Sequence, residues 1–421
     1  MHMLKSLNSQ ILIASILGIA VGWWFNTHPS TALASNSLYV LGLISSLFIG
    51  LLKMLLIPLI FSSIVVGVAN LQAIGRFGRV CKVTVLCFLT TTALALGLGL
   101  LCAHIFQPGV GLDISLFKAA MDAYHVPDTL SPSAFFSHFL QNTLINPFKA
   151  MADNNVLSVV IFALLLGAVI VSGRGKFQAV HDLFQQLFDM MMTLVQWVMW
   201  LAPVGIFALL AKLVATEDFA VLENLAKFAA VVTGTTIFHG LVVLPLLLWI
   251  FGRVSPWRFF KAARPALTTA FATSSSSATM PLSMKCAQDL GVRPQVAGFV
   301  IPLGTQLNMD GTALYEAAAA LFIANLIGLE LSIAQQLIVC LTAMLASLGA
   351  PGIPSAGMVT MIMVLQSVGL PAEAIAILLP IDRLLDTVRT VVNVQGDMMI
   401  SVVAERYADD DELINTAAIE H

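Results

Sequence analysis

The sequence predicts an all-α polytopic membrane protein whose C-terminal part holds two related units around a polar site. Three observations carry that prediction. Of 421 residues, 58% are hydrophobic and 10% are charged, against roughly 25% charged in soluble domains, and the mean hydropathy is +0.92. Apolar runs alternate with short basic loops, the pattern of a chain that crosses a membrane repeatedly. Beyond residue 252 the apolar character persists, but clusters of Ser, Gly, Pro, Asn and Asp cut it into pieces too short or too polar for simple spans.

A membrane-crossing helix needs about 20 apolar residues, so a chain of this length has room for about eight to ten. Apolar runs predict helices over 8–26, 38–72, 80–106, 155–173, 184–214 and 225–252. Lys5 before the first and Ala32-Leu33-Ala34 after it imitate a cleavable leader. The long gap from Phe25 to Ala34, and Trp23-Trp24 suited to the interfacial aromatic belt, favour a retained span. Positive charge then sets orientation. Arg76, Arg79 and Lys82 lie between the second and third runs, and Arg174 and Lys176 between the fourth and fifth. Arg253, Arg258, Lys261 and Arg264 follow the sixth. With Lys5 these fall on alternate loops, which places them in the cytoplasm with the N-terminus and the acidic tail Asp409–Glu412.

Three polar breaks follow: Thr273–Pro281, which contains four consecutive serines, then Gly304–Thr312, then Gly349–Gly357. Non-helical backbone at membrane depth is tolerated only where protein buries it or it lines a cavity. The layout is hairpin 256–290, helix 293–327, hairpin 332–370, helix 371–404. Two hairpins, each followed by a broken or polar helix, predict an internal repeat meeting at a midplane site. The halves share little letter-by-letter identity.

The last helix carries the strongest functional signal. Asp382, Arg383, Asp386, Arg389 and Asp397 place five charges in sixteen residues. With Thr390 and Asn393 they fall within an arc of about 120° on a helix, and valines fill the opposite face. A charge at the bilayer centre costs roughly 2.5–3.5 kcal/mol on insertion scales, so such a stripe must face protein, water or a bound ion. Arg389 offers a planar fork matched to a carboxylate; alternatively it closes an internal ion pair with Asp382 or Asp386, and the two arrangements can coexist.

Other classes fit poorly. A net charge of −3 gives no reason to expect nucleic acid. The five cysteines are scattered without a CxxC pair, so neither a disulfide framework nor a zinc site is predicted, and no cofactor motif appears. An enzyme using the serine run would need a base, yet beyond residue 181 the only histidines are His239 and His421, and no GxSxG elbow surrounds the serines. A channel is disfavoured because the stripe mixes both signs rather than forming a ring of one.

These motifs resemble the dicarboxylate/amino acid:cation symporter family, which includes bacterial and archaeal glutamate or aspartate carriers and the animal excitatory amino acid transporters. The matching stretches are Trp200–Ala208, Ser274–Pro281, Asn308–Glu316, Ala346–Gly357 and Asp382–Asp397. The resemblance implies eight transmembrane helices plus two re-entrant helical hairpins, in inverted repeats, assembled as a homotrimer in the inner membrane. Residues 1–74 and 107–215 would form a static scaffold. Residues 75–106 and 216–421 would form a mobile transport domain, with the second hairpin as extracellular gate.

By the same resemblance, Arg389 would hold the side-chain carboxylate of an acidic amino acid and Asp386 its ammonium group. Ser276, Thr312, Gly357, Thr390 and Asn393 would complete the substrate contacts, though Thr312, Thr390 and Asn393 read equally as helix-packing polar groups. Dicarboxylate carriers of the family tend to lack the aspartate at 386, so its presence favours an amino acid over a C4-dicarboxylate. One sodium would use Asp397 with carbonyls of Gly304, Asn308 and Asn393. A second would use Asp310, Asn308, Thr91, Thr92 and the Phe88 carbonyl, and a third the carbonyls of Gln306, Ser347, Leu348 and Ala350. Asp310, Asp386 and Asp397 against Arg389 leave a surplus of negative charge that an acidic substrate increases, which calls for bound cations. Glu316 stands where the animal transporters carry a proton-binding glutamate; otherwise it is a neutral or paired structural carboxyl. Coupling to protons alone is the remaining alternative within transport.

Overall fold

A computed structural model describes residues 7–28, 32–69, 78–110, 144–153, 156–173, 175–216, 220–347, 356–371 and 374–408. Among these, every regular element is helical. In chain order they are α1 (Leu7–Thr27), α2 (Ala32–Ala69), α3 (Gly78–Phe106), a short α4 (Pro147–Ala152), α5 (Val156–Ser172), α6 (Gln178–Trp200) and α7 (Ala202–Thr216). Next comes α8 (Ala220–Phe238), which runs on through π-helical turns His239–Val243 and Leu248–Gly252 flanking Leu244–Leu247. Then follow α9 (Pro256–Thr273), α10 (Ser276–Asp289), α11 (Pro294–Leu307), α12 (Asp310–Leu326), α13 (Ile333–Ser347), α14 (Ala356–Ser367) and α15 (Ile375–Arg406).

Two of the described helices, Arg79–Phe106 and Leu222–Gly252, are each long and apolar enough to cross a membrane alone. The run predicted as one helix over 184–214 is instead α6 and α7, bent by 54°. The cause is local. Pro203 offers no N–H to the preceding turn, and its ring crowds the carbonyl four residues earlier, so the chain breaks at Leu201 and restarts with Pro203 in the first turn of α7, where it is tolerated. The other predicted runs agree with the observed helices to within a few residues, except that the second and sixth begin earlier, at Ala32 and Ala220.

Packing gathers the helices around two centres. α1 lies along α7, and α2 packs on α5, α6 and α7. α15 packs against α3, α8, α9, α10, α11, α12 and α14. α12 is buried at all but one of its positions and packs also on α3, α8 and α13. Gly99 makes the α3–α12 approach possible: a Cβ there would come within 2.5 Å of the Leu314 carbonyl oxygen.

α9 and α10 pack on one another across the turn Ser274–Ser275, and α13 packs on α14. The predicted third break, 349–357, lies outside the described residues as far as Ser355. The two pairs end alike. After α10, Gly291 takes φ +99° and Val292 N–H reaches back to the Ala287 carbonyl; after α14, Gly369 takes φ +78° and Leu370 N–H reaches the Leu365 carbonyl. Each is a left-handed glycine cap closed by an apolar residue, set three residues after a glutamine, Gln288 or Gln366.

Candidate functional site

The polar face of α15 is interior. Asp382, Arg383, Asp386, Arg389, Thr390, Asn393 and Asp397 are all buried, which a helix this polar tolerates only if its groups find partners. Arg389 donates from Nη2 to Asp382 Oδ1 at 2.7 Å and to Asp386 Oδ1 at 3.0 Å. Arg383 Nη1 lies 3.4 Å from the other oxygen of Asp386. The Arg389 guanidinium also stands 4.0 Å over the Tyr315 ring, a favourable cation–π geometry. Among the described residues its Nε and Nη1 have no hydrogen-bond partner. Beside Nη1 is Gly357, whose missing Cβ would lie 3.6 Å from it and 2.9 Å from the Thr312 side chain. The arginine is thus held by one nitrogen while the rest of its fork remains available.

A second cluster forms where α11 gives way to α12. Asn308 and Met309 interrupt the helix, and Asp310 opens α12 at the end favourable to an acid. Thr92 donates to Asp310 Oδ1 at 2.8 Å and Thr91 at 3.2 Å; Thr91 Oγ1 also lies 3.2 Å from the Phe88 carbonyl and 3.4 Å from Asn308 Oδ1. Five of the predicted cation-site residues, Phe88, Thr91, Thr92, Asn308 and Asp310, therefore lie together. Asn308 bridges to the next group, since its Nδ2 donates to Asp397 Oδ1 at 3.0 Å. Gly304 faces the Asp397 carboxylate so closely that a Cβ would collide with it. Asn393 accepts from the Gly311 N–H at 2.8 Å and places Nδ2 3.4 Å from Thr312 Oγ1. The break in the helix thereby leaves that donor satisfied, as buried backbone requires.

At the first hairpin tip, Ser275 caps α10 by accepting from Ala278 N–H at 3.2 Å, and Ser276 is the buried first residue of the helix. Ser274 holds φ +51°, a left-handed conformation a serine seldom adopts, and its buried Oγ has no partner among the described residues. Of the third predicted cation set, Gln306 is half-buried near the end of α11 and Ser347 is buried at the end of α13. Leu348 and Ala350 lie outside the described residues. Thr390 is buried on the stripe.

Contacts with no signal in the sequence complete the site. Glu316, fully buried on α12, is hydrogen-bonded through Oε1 to Thr360 on α14. His239, fully buried in a π-helical turn, places Nε2 3.4 Å from Asp310 Oδ2. Asp382, which the sequence offered as one of two ion-pair partners for Arg389, makes the shorter pair. Four buried aspartates thus face two buried arginines, a formal −2 before Glu316 is counted.

A family model described as "Sodium:dicarboxylate symporter family" matches residues 7–407. The chain belongs to the sodium:dicarboxylate symporter family. Relatives include Excitatory amino acid transporter 3 of Mus musculus, 34% identical over 93% of this chain and 84% of its own length. The Proton/glutamate-aspartate symporter of Escherichia coli is 34% identical over 96% of this chain and 93% of its own. The Proton/sodium-glutamate symport protein of Geobacillus stearothermophilus is 33% identical over 94% and 93%. The sodium:dicarboxylate symporters are integral membrane secondary transporters and not enzymes, and sodium enters the family as a co-transported ion rather than a cofactor. In a symporter of this family, the surplus of buried acid beside a half-used arginine has a chemical purpose: an anion and cations entering together neutralise one another.

Proposed function

We propose that this symporter imports an acidic amino acid, aspartate or glutamate, together with sodium ions and a proton. The observation that carries this reading is the adjacency of Asp386 and Arg389, with the arginine anchored, among the described residues, through Nη2 alone. Arg389 receives the side-chain carboxylate on Nε and Nη1. Asp386 receives the ammonium; both its oxygens already meet guanidinium groups, but an ionised carboxylate accepts about four hydrogen bonds. Ser276 and the N-terminus of α10 take the α-carboxylate, while Thr312, Gly357, Thr390 and Asn393 shape the remainder.

Sodium occupies the oxygen-rich cluster of Thr91, Thr92, Asn308, Asp310 and the Phe88 carbonyl, and a second ion the surroundings of Asp397 with Gly304, Asn308 and Asn393. Such hard-oxygen sets suit sodium. A third ion uses Gln306, Ser347, Leu348 and Ala350. Glu316 carries the proton. The packing around α15 supports a mobile unit of α3 and α8–α15, moving as an elevator against a scaffold of α1, α2 and α4–α7. The carrier works as a homotrimer in the inner membrane, in contact with lipid, with both termini cytoplasmic.

The test is uptake into proteoliposomes under an imposed sodium gradient, comparing aspartate, glutamate, serine and succinate. Aspartate and glutamate should accumulate only with the gradient. Succinate accumulating as well as aspartate would replace the amino-acid reading with a dicarboxylate one, and uptake indifferent to sodium would remove the coupling ion.

A further inference from the structure

We propose that Thr360 transmits the protonation state of Glu316 to the second hairpin by switching one hydroxyl hydrogen between Glu316 and the Gly357 carbonyl. The inference rests on the reading of Glu316 as the proton carrier and adds the part that reads it. Thr360 Oγ1 is hydrogen-bonded to Glu316 Oε1 and lies 3.2 Å from the Gly357 carbonyl oxygen, and both side chains are buried. A threonine hydroxyl has one hydrogen and two acceptor positions. It therefore cannot donate to both oxygens at once.

The two states differ in where that hydrogen goes. An ionised carboxylate only accepts, so with Glu316 charged the Thr360 hydrogen must turn to Oε1 and the Gly357 carbonyl loses it. A proton added on Oε1 reverses the bond: Glu316 now donates to Thr360 Oγ1, and the hydroxyl hydrogen is released to Gly357. No covalent bond changes apart from the O–H formed on the glutamate. The receiving carbonyl belongs to the glycine that stands beside Arg389 Nη1 and the Thr312 side chain, so the switch ends at the substrate groups.

The surroundings focus the effect on this one bond. Among the described residues Glu316 Oε2 has no partner, so Thr360 is the hydrogen-bond link they provide from the carboxyl to α14. The charged group that acts on Glu316 is Arg389 of α15. From α3, α8 and α13, no ionisable side chain is hydrogen-bonded to it among the described residues.

The experiment measures the apparent KM for aspartate against pH at saturating sodium, in proteoliposomes. The variants are Thr360→Val, Thr360→Ala and Thr360→Ser, each alone and with Glu316→Gln. Glu316→Gln should flatten the profile. Thr360→Val, which keeps the shape and loses the hydroxyl, should flatten it too and weaken substrate affinity at acid pH by about two- to tenfold, the size of one neutral hydrogen bond. Thr360→Ser should restore the parental profile, and adding Thr360→Val to Glu316→Gln should change the profile no further. A parental profile in Thr360→Val, with Glu316→Gln flat, overturns the switch and spares the proton reading. An unaltered profile in Glu316→Gln overturns both. Should Thr360→Val fail to insert, Thr360→Ala decides by the same criterion.

Discussion

Arg389 reaches back two helical turns to Asp382, 2.7 Å away, and spends the same nitrogen on Asp386 at 3.0 Å. The pairing matters because side chains on a helix lean toward its N-terminus, so an arginine meets an acid placed before it with its tip. The guanidinium is then fixed in direction while Nε and Nη1 have no hydrogen-bond partner among the described residues. Asp382→Asn should destabilise the protein by up to about 3–5 kcal/mol, the range for breaking one side of a buried pair, with Asp386 offsetting part of it. Thermal unfolding in detergent measures this, and a midpoint equal to the parent's would show Asp382 to be dispensable. Arg389→Ala should remove transport of acidic substrates while the protein still inserts; unchanged aspartate affinity would take Arg389 out of the site.

Sodium coupling is tested at Thr92, which donates to Asp310 at 2.8 Å. Thr92→Val keeps the volume and deletes the hydroxyl. The apparent KM for sodium should rise about five- to tenfold, in line with one hydrogen bond to a charged group, whereas the KM for aspartate at saturating sodium should move little. Thr90, exposed and bonded only to the Leu86 carbonyl among the described residues, gives the matched control in Thr90→Val. Equal sodium KM values for the two variants would exclude Thr92 from the cation site.

A pair of glycines on α3 separates packing from propensity. Gly99 touches α12 so closely that a Cβ would press on the Leu314 backbone, whereas around Gly97 there is nothing within 4 Å. Gly99→Ala should therefore cost about 1–3 kcal/mol through overpacking, and Gly97→Ala should gain up to about 1 kcal/mol from helix propensity. Unfolding midpoints that moved the same way would mean α3 and α12 are not packed as described.

Much of this site was legible in the sequence because charge inside an apolar helix is rare and must be accounted for. The α15 stripe, the break at Asn308–Met309 and the serine turn all follow from that rule and from the polar clusters themselves. Periodicity put Asp382 on the face of Arg389 without showing that their tips meet. Thr360 was invisible, since the arm Met358–Met363 reads as an apolar helix and its partner lies 44 residues away. His239 likewise acquires meaning only when α8 packs near α12. The bend between α6 and α7 was readable at Pro203, but the apolar run on both sides masked it.

The C-terminal end of α15 offers the last test. Glu405 accepts from the Arg293 side chain through Oε1 and from the Arg293 backbone N–H through Oε2 at 3.0 Å. One carboxylate thus ties α15 to the start of α11, whose first N–H groups lack partners within the helix. The neighbouring Arg406 donates from Nη1 to the Phe251 carbonyl at 2.7 Å, holding the end of the π-helical turn that closes α8. Both contacts are partly exposed, so each should contribute no more than about 1 kcal/mol. Glu405→Gln and Arg406→Ala should each lower the unfolding midpoint slightly, and the double variant should lower it by their sum. Salt distinguishes them. Screening weakens the ion pair of Glu405, so the gap between Glu405→Gln and the parent should shrink in choline chloride, chosen because it adds no sodium. The Arg406 bond ends on a neutral carbonyl, so the gap for Arg406→Ala should persist. A Glu405→Gln deficit that choline chloride left untouched would mean the clamp works by hydrogen bonding without help from charge.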